Sequence, residues 1–167
     1  MIMATPNQPG FFRRFYEILI AVGQRLQSPL LLALRLYWGW QFHVTGMGKL
    51  RHLDKTAEFF KTLHIPYPTF NAALAGGTEF IGGLLLLLGL GSRLVCLPLI
   101  FVTIIAYLTA EFDTVKNILT DPDKFVSAAP FLFMLAAMII FAFGPGAFSL
   151  DRLIEKKRAT SSRGPAA

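Results

Sequence analysis

Cysteine is almost absent. The one thiol, Cys96, lies inside an apolar run, so no disulfide framework, Cys-x-x-Cys redox pair or cysteine zinc site can form within the chain. Charge is sparse as well. Asp, Glu, Lys and Arg make up 16% of the residues, where a soluble domain carries about a quarter. Histidine is limited to His43, His52 and His64, and gaps of nine and twelve residues do not fit the short spacings of a metal site. No Ser-His-Asp arrangement, phosphate loop or dinucleotide glycine motif is present in a suitable setting. The net charge is +6, yet the cations fall at the chain ends and between apolar runs, with no basic stripe interleaved with aromatics. That distribution excludes a nucleic-acid partner and fits charge placed at the edges of a membrane.

What fills the 167 residues instead is hydrocarbon: 54% are hydrophobic and the mean hydropathy is +0.53. Four apolar stretches, about 29–47, 70–90, 94–110 and 125–143, reach or approach the ~20 residues needed to cross a bilayer core. Gly91, Ser92 and Arg93 make a short turn between the second and third, and Gly144-Pro145-Gly146 stops the fourth. The first 28 residues are a poor secretory leader, because Glu17 interrupts the apolar core. Their periodicity is helical. Phe11, Phe15, Ile18, Leu19, Val22 and Leu26 share one side, and Arg13, Arg14, Glu17, Gln24, Arg25 and Ser28 the other.

The expected fold is therefore an all-α membrane protein. It is a four-transmembrane-helix antiparallel bundle, preceded by an amphipathic helix lying in the interface. The expected organisation is a flexible 1–10, an interfacial helix at 11–28, the membrane domain at 29–150 and a basic tail at 151–167, whose last residues from Thr160 on are expected to be disordered. Nine Lys and Arg flank the spans on the side of the termini and six on the other, which predicts both termini in the cytoplasm of a bacterial inner-membrane protein. In the long loop after the first span, Asp54 is expected to cap a short helix running through Leu63, either resting on lipid or lying as a lid over the bundle. His64 to Pro68 is expected to re-enter the membrane extended. Asp121-Pro122-Asp123 reads as a helix start, since it lacks the ligand spacing of a calcium loop.

Ionisable residues inside a span are expensive, at least ~2.5–3.5 kcal/mol each at the centre, and are functional candidates by default. Arg35 in the first span and Glu79 in the second stand out. Arg35, Gly39, Phe42, His43, Gly46 and Lys49 share one helical face; Ala72, Ala75, Gly76, Glu79, Gly82, Gly83 and Leu86 share another. Small residues on both faces allow close backbone approach, which makes Gly39, Gly46, Gly76, Gly82 and Gly83 the candidate packing positions. At ~1.5 Å per residue, Arg35 lies ~9 Å and Glu79 ~16 Å from the same membrane edge. The two are thus expected to meet as a catalytic pair, with Gln41 or Tyr37 nearby. Arg35, Gln41, Lys49, Glu79 and Tyr107 are the candidate ligand-binding residues. Against this stands the plainer possibility that a buried ion pair only fixes helix register, and that the Tyr107 ring packs while its hydroxyl reaches the outer interface. His43 is the sole candidate axial ligand for haem. As a lone membrane histidine it reads better as a hydrogen-bonded core residue, and no metal site is expected.

Several of these segments, taken in order, resemble the DoxX family of small bacterial membrane proteins. They are Arg35-Leu36-Tyr37-Trp38-Gly39-Trp40-Gln41-Phe42, Gly46-Met47-Gly48-Lys49-Leu50, Leu63-His64-Ile65-Pro66, Glu79-Phe80-Ile81-Gly82-Gly83 with its leucine run, Gly89-Leu90-Gly91-Ser92-Arg93, and Gly144 through Asp151. The resemblance spans about 31–153 and implies a four-helix membrane bundle. It also implies an association with quinone-linked oxidation of sulfur compounds, because relatives serve as subunits of thiosulfate:quinone oxidoreductases. Arg35, Lys49, Glu79, Gly82, Gly83 and Arg93 stand at the matching positions, whereas His43 and His64 are local departures. Three functions follow as expectations. The first is a redox subunit that binds a quinone, with no covalent cofactor, beside partner proteins or further copies of itself. The second is a scaffold that recruits partners through its basic tail and N-terminal helix. The third is a small proton-coupled carrier using Glu79, disfavoured by the lack of paired discontinuous helices.

Overall fold

The protein is described here by a computed structural model covering residues 11–161. The expectations for 1–10 and for 162–167 lie outside the described residues. The described chain is helical, with elements α1 (Phe11–Arg51), α2 (Leu53–Thr62), α3 (Pro68–Leu88), α4 (Ser92–Thr109), α5 (Phe112–Lys116), α6 (Pro122–Ser127), α7 (Ala129–Phe143) and α8 (Leu150–Ser161). Three helices, α1, α3 and α4, are long and apolar enough to cross a membrane; α7 is apolar but shorter, at 15 residues.

The packing follows the distribution of small residues. α1 lies along α3, α3 touches α4, and α4 lies along α7, so the bundle closes around Phe42, Leu86, Cys96, Leu99, Ala137 and Ile140. Large apolar side chains such as Phe70, Ile81, Leu94, Leu97 and Phe101 point outward and stay exposed. This outward apolar surface suits lipid as the solvent, and the helices keep their backbone hydrogen bonds internal, as a bilayer demands.

α1 does not break where an interfacial helix was expected to end. Phe11 through Arg51 is one helix of 41 residues with Pro29 inside it. Its length is about 60 Å at the usual rise, roughly twice a bilayer core. Phe11 to Gln27 are exposed on every side, so this portion projects past the bundle, with Arg13 and Glu17 paired along it at 3.0 Å. Proline removes one ladder hydrogen bond; it does not oblige the chain to change direction.

The fourth apolar stretch is divided. Asp121 caps α6 by accepting the Lys124 amide at 3.2 Å, the helix start its Asp-Pro-Asp sequence predicts. α6 then stops, and Ala128 is extended (φ −64, ψ 139) before α7 begins with Pro130 in its first turn. Pro130 has no amide to donate and its ring would meet the carbonyl four residues back, so a single helix from Phe125 is not available.

α2 folds against α3, burying Ala57, and the Thr56 hydroxyl donates to the Lys49 carbonyl at 3.3 Å. Its N-cap is His52, not Asp54, which sits in the first turn without capping. The return to the membrane is a tight turn instead of an extended strand: His64 (φ +57) and Tyr67 (φ +46) are both left-handed. The Ile65 amide reaches back to the Phe60 carbonyl at 3.0 Å, closing the helix end around His64.

Candidate functional site

The seam between α1 and α3 is built from glycines, and they set the depth of every charge. A Cβ on Gly39 would lie 3.0 Å from the Gly83 carbonyl, and one on Gly46 would run into the backbone of Gly76, Glu79 and Phe80. Gly83 faces the backbone of His43, and Gly76 faces Lys49 and Leu50. Gly82 departs from this seam and lies against Leu99 of α4. With this register, Arg35 comes level with the end of α3 and Glu79 level with the stretch from His43 to Gly46. The two positions are separated by about 15 Å along the axis.

Arg35 and Glu79 therefore do not form the expected pair. The reckoning from Pro29 places Arg35 too deep, because the membrane-domain edge on this side is the Gly89–Gly91 turn, and that turn lies beside Arg35. A Cβ on Gly89 would collide with the Arg35 guanidinium. The Arg35 side chain is fully buried and its Nη2 donates to the Phe148 carbonyl. Asp151 is near enough to act on its charge. Its Nε and Nη1 have no acceptor among the described residues.

Asp151 ties this end together. Its Oδ1 accepts the Gly91 amide at 2.7 Å and its Oδ2 the Ser92 amide at 3.1 Å, while its own amide donates to the Gly89 carbonyl at 3.0 Å. A carboxylate from α8 thus caps α4, where free amides and the helix dipole favour negative charge. Arg35 and Asp151 join α1, the α3–α4 turn and α8. Sequence reasoning passed over Asp151; the signal was present, since the Gly144–Asp151 segment is among those that carry the family resemblance.

Glu79 finds its partner at the opposite end. Lys49 Nζ donates to both oxygens of the Glu79 carboxylate. The Glu79 side chain is 7% exposed and that of Lys49 31%. An ammonium has three N–H bonds. Two go to Glu79, and the third is free to meet an oxygen approaching from the side on which Lys49 is open.

The remaining candidates lie elsewhere. Gln41 Nε2 donates to the Tyr37 hydroxyl at 3.3 Å along α1, away from Glu79. Tyr107 stacks on Phe125 with centroids 4.7 Å apart and donates to its carbonyl at 2.8 Å, so its hydroxyl is engaged near the α6–α7 junction. His43 is engaged with Phe80, the residue after Glu79: its ring stacks on Phe80 at 4.3 Å and its Nδ1 lies 3.1 Å from the Phe80 carbonyl. Arg93 is exposed at the start of α4 and lies along Gly144. Among the described residues, no three His, Cys, Asp or Glu side chains gather in a way that could hold a metal ion.

Comparison with known proteins places this arrangement in context. The family profile described as DoxX matches residues 30–111. An uncharacterized membrane protein of Mycobacterium tuberculosis is 31% identical over 145 residues, covering 80% of this chain and 85% of its own length. An uncharacterized protein of Haemophilus influenzae is 28% identical over 136 residues, covering 79% and 87%. A Bacillus subtilis protein named as a candidate oxidoreductase, CatD, is 30% identical over 117 residues, covering 61% and 86%. No solved structure matches the chain.

Proposed function

Because the chain belongs to the DoxX family of membrane proteins, we propose that it is a subunit of a redox system of the bacterial cytoplasmic membrane, meeting a quinone-class carrier at Lys49 and Glu79. The observation that carries this reading is the Lys49–Glu79 pair, held within the helix seam, with the acid enclosed and the amine about one-third open. A carrier of this class dissolves in the bilayer and takes up two electrons with two protons, the electrons coming here from a partner oxidoreductase, as in the oxidation of a sulfur compound.

The residues fit such a guest. Lys49 has one N–H bond to offer a carbonyl oxygen without surrendering Glu79. On reduction that oxygen takes one of the carrier's two protons from the Lys49 ammonium, and the neighbouring Glu79 carboxylate favours re-protonation of the amine. His43 and Phe80, the residue after Glu79, stack on each other in the same seam. Arg35, enclosed at the other end and bound to Phe148, anchors the fold and takes no part in binding. The name of the Bacillus subtilis relative is in keeping with a redox role.

The test uses protein purified in a gentle detergent from membranes. The expected result is that quinone co-purifies, and that Glu79→Gln and Lys49→Met each lower the bound quinone and the quinone-dependent electron transfer of the membranes at least tenfold, with the bundle still folded and its melting temperature lowered by only a few degrees. Protein that carries no quinone, together with variants that leave electron transfer unchanged, would overturn the reading.

A further inference from the structure

At the end of the bundle where α8 begins, a cleft of about 730 Å³ opens between the start of α4, the α7–α8 loop and α8. It is separate from the Lys49–Glu79 pair. Its rim carries three guanidinium groups, Arg93, Arg152 and Arg158, and two carboxylates, Asp151 and Glu155. Both acids are already engaged: Asp151 by the Gly91 and Ser92 amides, Glu155 by Arg152 at 2.8 Å. Arg93 and Arg158 have no ionic or hydrogen-bonding partner among the described residues, and both are exposed. The cleft thus has unbalanced positive charge.

Its position and its other walls say what that charge meets. The cleft sits where the apolar helices end, at the start of α4 and just past the Phe143 end of α7. That is the depth of the lipid headgroups. The Gly144-Pro145-Gly146 loop forms a rigid wall, with both glycines left-handed (φ +79 and +78). A Cβ on Gly144 would lie 3.3 Å from Arg93 Nη2, so the guanidinium rests flat on bare backbone. Beside the cations, Leu94 and Phe143 are exposed apolar groups on the bilayer side of the same cleft.

We propose that this cleft binds the phosphate of an anionic phospholipid from the adjoining leaflet, with Arg93 and Arg158 on the phosphate and an acyl chain along Leu94 and Phe143. Guanidinium groups match phosphate oxygens in bidentate fashion. Basic pockets between membrane helices are suited to phosphate-bearing headgroups, and each cation near the surface strengthens the attraction by about fivefold. A soluble phosphate ester would satisfy the arginines but leave the apolar wall without a use; an acidic protein segment would do the same.

The full-length protein is tested in nanodiscs and by native mass spectrometry from gentle detergent. Phosphatidylglycerol or cardiolipin is offered in competition with phosphatidylcholine, with and without millimolar inorganic phosphate. The expected result is at least tenfold preference for the anionic lipid and a loss of about fivefold for Arg93→Gln and for Arg158→Gln. Lys124→Gln, at the other end of the bundle, should leave retention unchanged, and inorganic phosphate should not displace the lipid. Since Arg93 and Arg158 are both exposed, an unaltered melting curve separates loss of binding from loss of fold. Equal retention of phosphatidylcholine, retention indifferent to both arginines, displacement by inorganic phosphate, or occupation by an acidic partner protein in place of lipid would each overturn the proposal.

Discussion

Two cations enter the helix seams of this protein from opposite ends, and the chain holds them in opposite ways. Arg35 is enclosed completely, spends one donor on a backbone carbonyl, and lies beside an aspartate that is itself committed to capping α4. Lys49 is partly open and makes a direct pair with a carboxylate. The first arrangement joins three segments and leaves nothing for a visitor to reach. The second involves two helices and leaves one N–H bond on the open side. Enclosure marks a charge that holds the structure together; reach marks a charge that can meet something else.

The sharpest way to break this contrast is to remove Arg35. Arg35→Met should lower stability by about 3–5 kcal/mol, because the Phe148 carbonyl loses its donor and Asp151 its neighbouring cation. Denaturation of the detergent-solubilised protein measures it, and a loss no larger than that of Lys49→Met erases the distinction between the two ends. Asp151→Ala should come next, at about 2 kcal/mol, since two helix-start amides lose their acceptor together. Hydrogen exchange at Gly91 and Ser92 should rise with it.

At the other end the effects should be smaller. Lys49→Met or Glu79→Gln alone should cost about 1 kcal/mol, because Lys49 is not fully withdrawn from its surroundings, and the double variant should be nearly neutral. A strongly negative double variant would mean that the pair fixes helix register after all. The smallest change is expected outside both seams. His64→Gly should raise stability by up to about 1 kcal/mol by relieving a left-handed backbone that glycine adopts freely, visible as a modest rise in melting temperature.

The sequence is most legible where one rule acts alone. Apolar runs located α3 and α4 to within two residues at each end. Glycine periodicity identified the faces of α1 and α3 that pack, because only a bare backbone permits that approach. Gly89 ends α3 as a left-handed residue, with the Leu90 amide returning to the Leu85 carbonyl at 3.0 Å. Legibility fails where two segments must be set against each other. Counting from the apparent start of each apolar run put Arg35 and Glu79 within reach, but runs begin where composition changes, while register is fixed by which glycines touch. Lys49 is on the correct face but lies past the end of its apolar run, among the loop cations, so the run alone does not offer it as the partner. Asp151 acts across sixty positions, and no local pattern discloses that. Pro29 and Pro130 show how one residue type has two outcomes. The first is absorbed in a long helix with strong helix formers on both sides; the second coincides with a change of direction at Ala128.

One dimension of the bundle bears on the membrane itself. α7, with 15 residues, is about 22 Å long, against a hydrocarbon layer of about 30 Å. A helix this short leaves a hydrophobic mismatch on its flank, which local thinning of the bilayer or snorkelling of flanking residues relieves, while its neighbour α1 is long enough to span the same layer with length to spare. On that account a thin membrane suits the α7 flank better than a thick one.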